Sequence, residues 1–360
     1  MNPDSFELKV PQEPNIVKSD PNPSKSISNK ARLIEFDLLK CLAIFLVVCG
    51  HAIMHLSSND KTENEFYTFI YSFHMPLFML ISGFFSAKSL ELPFRDLFKK
   101  KFIQLIYPCI SFGIIFYLID LLVFKIENNG IINYFYNIFW FLKSCFLCYL
   151  IFYFCLRISA THKYLGCLIG LLISQVIPAF KITWMLPFFI AGYILFQNYT
   201  QFVNKAKYFF WPSLFLFIIL FLVSRKMEPI DLVSLKNELL SGNLTFLREY
   251  FIFHILRLVI GSAGSIMIIS AILLLSNKIG INKTPHILTA FGQQTLGIYI
   301  IQTYLLEELL SRYVDLSHTN ELVFTYIIVP LVSIALMYLS YILINLIVKS
   351  RITNRFFWWK

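Results

Sequence analysis

The residues best suited to chemistry lie on one apolar stretch near the start of the chain. It runs Ile34-Glu35-Phe36-Asp37-Leu38-Leu39-Lys40 and continues to Val47-Val48-Cys49-Gly50-His51, with His55 four residues later. At about 100° per residue a helix places Lys40 and His51 within roughly 20° of each other. Asp37 falls one turn before the lysine and His55 one turn after His51. A stripe of acid, ammonium and two imidazoles has no place against lipid and must line an interior. At about 1.5 Å per residue, Lys40 and His51 stand roughly 16 Å apart along the axis. One end of the helix thus offers a cation to an anionic group. The other offers an imidazole that can take a proton at neutral pH.

A second apolar stretch carries Phe73-His74-Met75-Pro76-Leu77-Phe78 and then Ser82-Gly83. His74 is expected at the same depth as His51. Pro76 bends the helix, and Ser82-Gly83 permits another helix to approach closely. Counted in from the helix ends, Trp140, Lys143, His254, Arg257 and Gln302 fall at a similar level. A polar ring on several helices suggests one pocket, in which Arg257, Lys143 and Trp140 stabilise an oxyanion or stack on a sugar. For Arg257 a buried ion pair that organises the bundle is the competing reading, and for His254 a place at the interface. Between the second and third stretches, Arg95, Lys99, Lys100 and Lys101 could dock phosphates of a cytoplasmic donor. Ordinary bias of basic residues toward the cytoplasm accounts for them equally well.

The elements that must hold these groups are membrane helices. The 360 residues are 57% hydrophobic and 14% charged, against roughly 25% charged in a soluble globular chain. Spans of about twenty apolar residues are expected near 33–56, 67–87, 102–124, 134–156, 164–180, 182–198, 208–224, 250–276, 287–310 and 321–348. The fold class is therefore all-α, a polytopic bundle of about ten helices. Twenty Lys and Arg residues fall on the N-terminal side of these spans and eight on the other, which puts both termini in the cytoplasm. The net charge of +10 thus reports topology, and no nucleic-acid partner is expected. Residues 1–30 read as a disordered cytoplasmic tail, 31–350 as the membrane domain, and 351–360 as a basic cytoplasmic tail. No cleavable leader is expected. The seven cysteines lie in apolar runs without metal-ligand spacing, and they read as small buried hydrophobes. No metal is expected.

Taken together, Asp37-x-x-Lys40, Val47-Val48-x-Gly50-His51, Phe73-His74-Met75-Pro76-Leu77-Phe78 and Ser82-Gly83 resemble the membrane acyltransferase-3 family. The similarity is greatest to its fucose 4-O-acetylase-like sugar O-acetyltransferases. Lys100-Lys101-Phe102, Leu105-Ile106-Tyr107-Pro108, Trp140-Phe141-Leu142, Leu186-Pro187-Phe188-Phe189-x-x-Gly192-Tyr193 and Thr295-Leu296-Gly297-Ile298-Tyr299-x-x-Gln302 extend it. The resemblance implies an integral membrane O-acyltransferase of the bacterial inner membrane. It would move an acetyl or other short acyl group from cytoplasmic acetyl-coenzyme A to a hydroxyl of a polysaccharide or lipid-linked glycan. The family signature is a basic residue, ten positions and an essential histidine, which Lys40 and His51 fit. Two positions depart from it: Cys41 replaces a usual glycine, and Gln302 stands where relatives often carry histidine. On this reading His51 is the general base, His74 assists it, and Lys40, tuned by Asp37, holds donor phosphate or pantetheine with Arg95, Lys99, Lys100 and Lys101. Trp140, Lys143, Arg257 and Gln302 face the acceptor. A polysaccharide or small-solute transporter would also line a cavity with charge, but would need no donor site. A purely structural subunit would need neither.

Overall fold

The computed structural model describes residues 33–124, 131–158, 162–177, 179–225, 244–279 and 285–358. The expected tail 1–30 and most of the loop 225–249 lie outside them. Among the described residues the fold is all-α. The principal helices are α1 (Ile34–His55), α2 (Glu65–Phe84), α3 (Phe94–Leu122), α4 (Trp140–Ile158), α5 (Lys163–Ser174), α6 (Ile182–Gln197), α7 (Ala206–Ser224) and α8 (Leu244–Ile279). They are followed by α9 (His286–Gln293), α10 (Thr295–Thr303), α11 (Glu321–Lys349) and α12 (Arg351–Trp358).

Seven of the helices are long and apolar enough to cross a membrane: α1, α3, α4, α6 with its preceding turn, α7, α8 and α11. Three expected spans look different. Tyr, Ser, His and Pro dilute the hydropathy of α2. Helix α5 stops at Ser174, short of the expected 180. The stretch 287–310 is broken at Gln294 into α9 and α10. The C-terminal segment expected as a tail is helical as α12 and packs against α3.

Helix α1 is the axle of the bundle, touching α2, α8, α9, α10 and α11. Helices α7 and α11 carry rows of exposed large apolar side chains, such as Phe215, Ile219, Leu331 and Leu346, as the lipid-facing periphery must. Ser82-Gly83 does admit a neighbour. A methyl group on Gly83 would run into the Phe189 carbonyl of α6, and one on Gly192 of α6 would run into the Leu80 carbonyl of α2. The two backbones therefore touch at reciprocal glycines, a contact only small residues allow. Helix α2, with its His74, is thereby locked to α6.

Two local features prepare the site. Tyr304–Leu309, directly after α10, winds as a π-helix, as does Phe102–Ile106 within α3. The wider turn redirects side chains relative to an α-helix, and such turns gather at functional positions. Phe139, Phe180 and Lys181 have φ of 55°, 49° and 58°, a region that bulky residues rarely adopt. All three lie where the chain enters α4 and α6.

Candidate active site

At the Lys40 end of α1, Lys40 lies 3.9 Å from Asp37, one turn earlier, and its ammonium rests over the Phe85 ring at 4.5 Å. It lines a cavity of about 470 Å³ together with Ser82, Lys100, Lys101, Gln104 and Gln293. A second cavity of about 550 Å³ shares Lys100, Gln104 and Gln293 with the first and extends to Asn345 on α11. Lys101 is buried; its ammonium lies 3.8 Å from the Tyr149 ring centroid and donates to Gln104 Oε1 at 3.2 Å. The π-turn that follows places Gln104 beside it. Arg95 and Lys99 are exposed on the opposite side of the same helical turns and are not among the residues lining either cavity. The structure thus brings Lys40, Lys100 and Lys101 together and leaves Arg95 and Lys99 outside.

At the other end of α1, His51 Nδ1 lies 3.2 Å from Glu307 Oε1, and His55 Nε2 lies 3.9 Å from the same oxygen. With Glu307 ionised, the carboxylate accepts the Nδ1 proton and Nε2 of His51 keeps a free lone pair. The Gln302 amide nitrogen is also 3.2 Å from Nδ1, while the amide touches the Tyr299 carbonyl and Thr303 hydroxyl. Gln302 therefore does meet His51, one turn before Glu307. The carboxylate was not singled out from sequence. Its position relative to Gln302 depends on the π-turn, which an even helical count does not anticipate. The pair Glu307-Glu308 at the end of an apolar run was the available signal.

His74 is buried, and its Nδ1 lies 2.7 Å from the Ile70 carbonyl. A carbonyl can only accept, so Nδ1 carries the proton and Nε2 is the free acceptor of the neutral ring. The Tyr71 ring meets that imidazole edge-on at 4.6 Å and lies against Gly50 of α1. Tyr71 therefore bridges the two histidine helices. Farther along, Asp120 of α3 is buried and accepts from Arg312 at 3.1 Å and from the Tyr304 hydroxyl at 3.3 Å, while Arg312 also donates to Glu308 at 2.7 Å. This network ties α3 to the segment bearing Glu307.

The remaining predicted positions are placed as follows. Trp140 begins α4, and the Lys181 ammonium lies 3.9 Å from its ring centroid. Lys143 donates to the Phe135 and Tyr136 carbonyls. Those bonds secure the turn that precedes α4 and give this ammonium a structural partner. Arg257 lies over Trp184 at 4.3 Å, and Trp184 stacks on His254 at 4.0 Å.

The cavity at the Lys40 end runs along α1 toward the His51 neighbourhood. It is lined as far as Val47 and Tyr299, each about one helical turn short of His51 and Gln302. The arrangement supplies an oriented imidazole base, an acid that fixes its tautomer, and a cation-lined cavity approaching from the opposite side.

The profile of a family described as an acyltransferase domain matches residues 33–348. The nodulation protein NolL of Sinorhizobium fredii (strain NBRC 101917 / NGR234) is 26% identical over 190 residues, a stretch covering 48% of this chain and 51% of that protein. The chain thus matches about half the length of that relative. No solved structure matches.

Proposed function

Since the chain belongs to the acyltransferase-3 family, we propose that it is a multi-pass O-acyltransferase of the bacterial inner membrane with both termini in the cytoplasm. It moves a short acyl group, acetyl in the first instance, from cytoplasmic acetyl-coenzyme A to a sugar hydroxyl of an extracytoplasmic or lipid-linked glycan. The observation that carries this reading is the pairing of His51 with Glu307 at 3.2 Å on the helix whose other end lines the Lys40 cavity.

Lys40, Lys100 and Lys101 face the phosphates of the donor, and both cavities accommodate its nucleotide end. The thioester arm extends toward Tyr299 and Val47. His51 Nε2 removes the proton of the acceptor hydroxyl as its oxygen attacks the thioester carbonyl. The C–S bond breaks, and the thiolate of coenzyme A takes the proton from the imidazolium. Glu307 holds the ring and offsets its charge while it is protonated, and His74 Nε2 positions the acceptor. A positioned base of this type contributes about 10²–10⁴-fold.

The test uses full-length protein reconstituted in vesicles, acetyl-coenzyme A binding by calorimetry, and acylated glycan by mass spectrometry. Donor binding with product formation is expected for the wild-type protein. Donor binding without product is expected for His51→Ala. A transporter would bind no acetyl-coenzyme A, and that result would reject the proposal.

A further inference from the structure

On α8, Tyr250, His254, Arg257, Gly261 and Gly264 fall within about 80° of one another on the helix. Gly261 abuts Pro76 of α2 and Phe188 of α6, and Gly264 abuts Phe73 of α2. This stripe therefore faces the bundle. Arg257 sits in its middle and yet is accessible. Its guanidinium is seated on Trp184 in the first turn of α6. Lys181, the residue that opens α6, is likewise accessible and seated on Trp140 of α4. Both cations are near enough to His74 for their charges to act on it, and near enough to each other to repel.

Among the described residues, no carboxylate lies within ion-pair distance of either cation. Elsewhere Glu307 pairs with His51, Asp120 and Glu308 with Arg312, and Glu65 with Arg225. The amides at the start of α6 have no side-chain cap, and buried His254 has no partner for either ring nitrogen. Two cations held on rigid indoles, beside the open end of a 16-residue helix, lack only a negative charge among the described residues. Structural cations in a bundle are ordinarily paired. Among the described residues this pair is fixed in place but left unneutralised, as a ligand site requires.

We propose that Arg257 and Lys181 bind an oxyanion carried by the acceptor, so that the acceptor is an anionic glycan. It would bear either a phosphate at its lipid linkage or a carboxylate on its sugar. This rests on the acyltransferase reading for the word acceptor, but the anion site itself does not depend on it. The nearby His74 places the bound glycan beside the reacting groups.

The test measures binding of two matched probe pairs to the full-length protein in nanodiscs: geranyl diphosphate with geraniol, and methyl glucuronide with methyl glucoside. In at least one pair the anionic member should bind about tenfold tighter or more, a difference attributable to its charge. The diphosphate pair reports a lipid-phosphate source and the glucuronide pair a sugar acid, and either supports the proposal. Arg257→Gln and Lys181→Gln should each erode the preference, the double variant should abolish it, and Arg257→Lys should keep most of it. If Arg257→Gln does not yield a monodisperse protein, wild-type salt dependence decides. Affinity for the anionic probe should fall between about 50 and about 500 mM NaCl while that for the neutral probe holds. Equal binding within both pairs, a preference that survives in the double variant, or a preference indifferent to salt would overturn the proposal. Acetyl-coenzyme A binding measured on the same samples tests the acyltransferase reading separately, because its loss leaves the anion preference intact.

Discussion

The two ends of α1 solve the problem of charge inside a membrane protein in opposite ways. At the Lys40 end the cations keep to an open cavity. Lys40 rests on Phe85 and has Asp37 one turn away, so its environment is largely built by its own and the adjoining helix. At the His51 end the partner of the imidazole is Glu307, brought from the far side of the sequence, and the imidazole is more buried than Lys40. An open end can admit a large, hydrated polyanion, whereas a closed end can hold one proton in one place. The difference teaches where each kind of function can be built. Binding tolerates loosely partnered cations, and proton transfer needs an over-determined geometry.

The sharpest way to break this comparison is at the closed end. His51→Ala should lower acyl transfer by about 10³-fold while leaving acetyl-coenzyme A affinity unchanged, as read by product mass spectrometry and calorimetry on one preparation. Glu307→Gln should act in the same direction but less, by about 10²-fold in kcat, with the donor KM unaltered. A donor KM that moved with kcat would place Glu307 in the binding end instead. Substitutions at the open end should do the reverse. Lys101→Ala and Lys40→Ala are each expected to raise the donor KM by about tenfold with a small change in kcat, since a charge-assisted contact to phosphate contributes about 1.5–3 kcal/mol.

A change that belongs to neither end should separate folding from function. Gly192→Ala places a methyl group against the Leu80 carbonyl and should destabilise the bundle by about 1–3 kcal/mol. A lowered thermal midpoint in detergent, with residual activity per folded molecule unchanged, is the expected result. The smallest effect concerns the loop roofing the closed end. Asp315 accepts from the Ser58 and Ser317 amides, and Leu316 N donates to the Leu56 carbonyl at 2.7 Å. These hydrogen bonds, the Ser317 amide first, hold the Asp315 carboxyl below the usual carboxylate range. A depressed folded-state pKa stabilises the loop above the ordinary carboxylate value, and that contribution is lost as pH falls through the lower folded value. The protection factors of the Ser58 and Ser317 amides, exchange rates taken relative to the intrinsic rate at each pH, should therefore be high at neutral pH and fall on acidification, and Asp315→Asn should remove that fall.

The legible part of the site was the part written along single helices. The Lys40–His51 spacing, the His74-Pro76 stretch and the small-residue contact at Gly83 are properties of local periodicity, and the structure realises their geometry. Gln302 was placed by depth and does meet His51. Lys143 was placed by the same rule, but its depth carried no information about direction. The backbone reverses at Phe139, and the nearest acceptors are carbonyls of the preceding turn. Glu307 was hidden because a regular 3.6-residue count does not foresee a π-turn. Lys181 was hidden because it reads as a loop charge until its ring partner on another helix is known. The membrane character was plain from composition, whereas the early end of α5 and the break at Gln294 depend on tertiary packing that periodicity does not encode.

The widened turn at Tyr304–Leu309 has a consequence for how this protein can change over time. A π-turn behaves as an ordinary helix into which one surplus residue has been slipped. Removing a single apolar residue there, Leu305 or Leu306, would delete no reactive group and would leave the hydropathy profile almost untouched. With the surplus residue gone the stretch can close into a regular helix, in which the acid stands four residues, one ordinary turn, after Gln302 and keeps its face toward the imidazole. The identity of the charged residues here is therefore under tighter constraint than the length of the segment, and a one-codon deletion at Leu305 or Leu306 should be less harmful than losing the carboxylate itself.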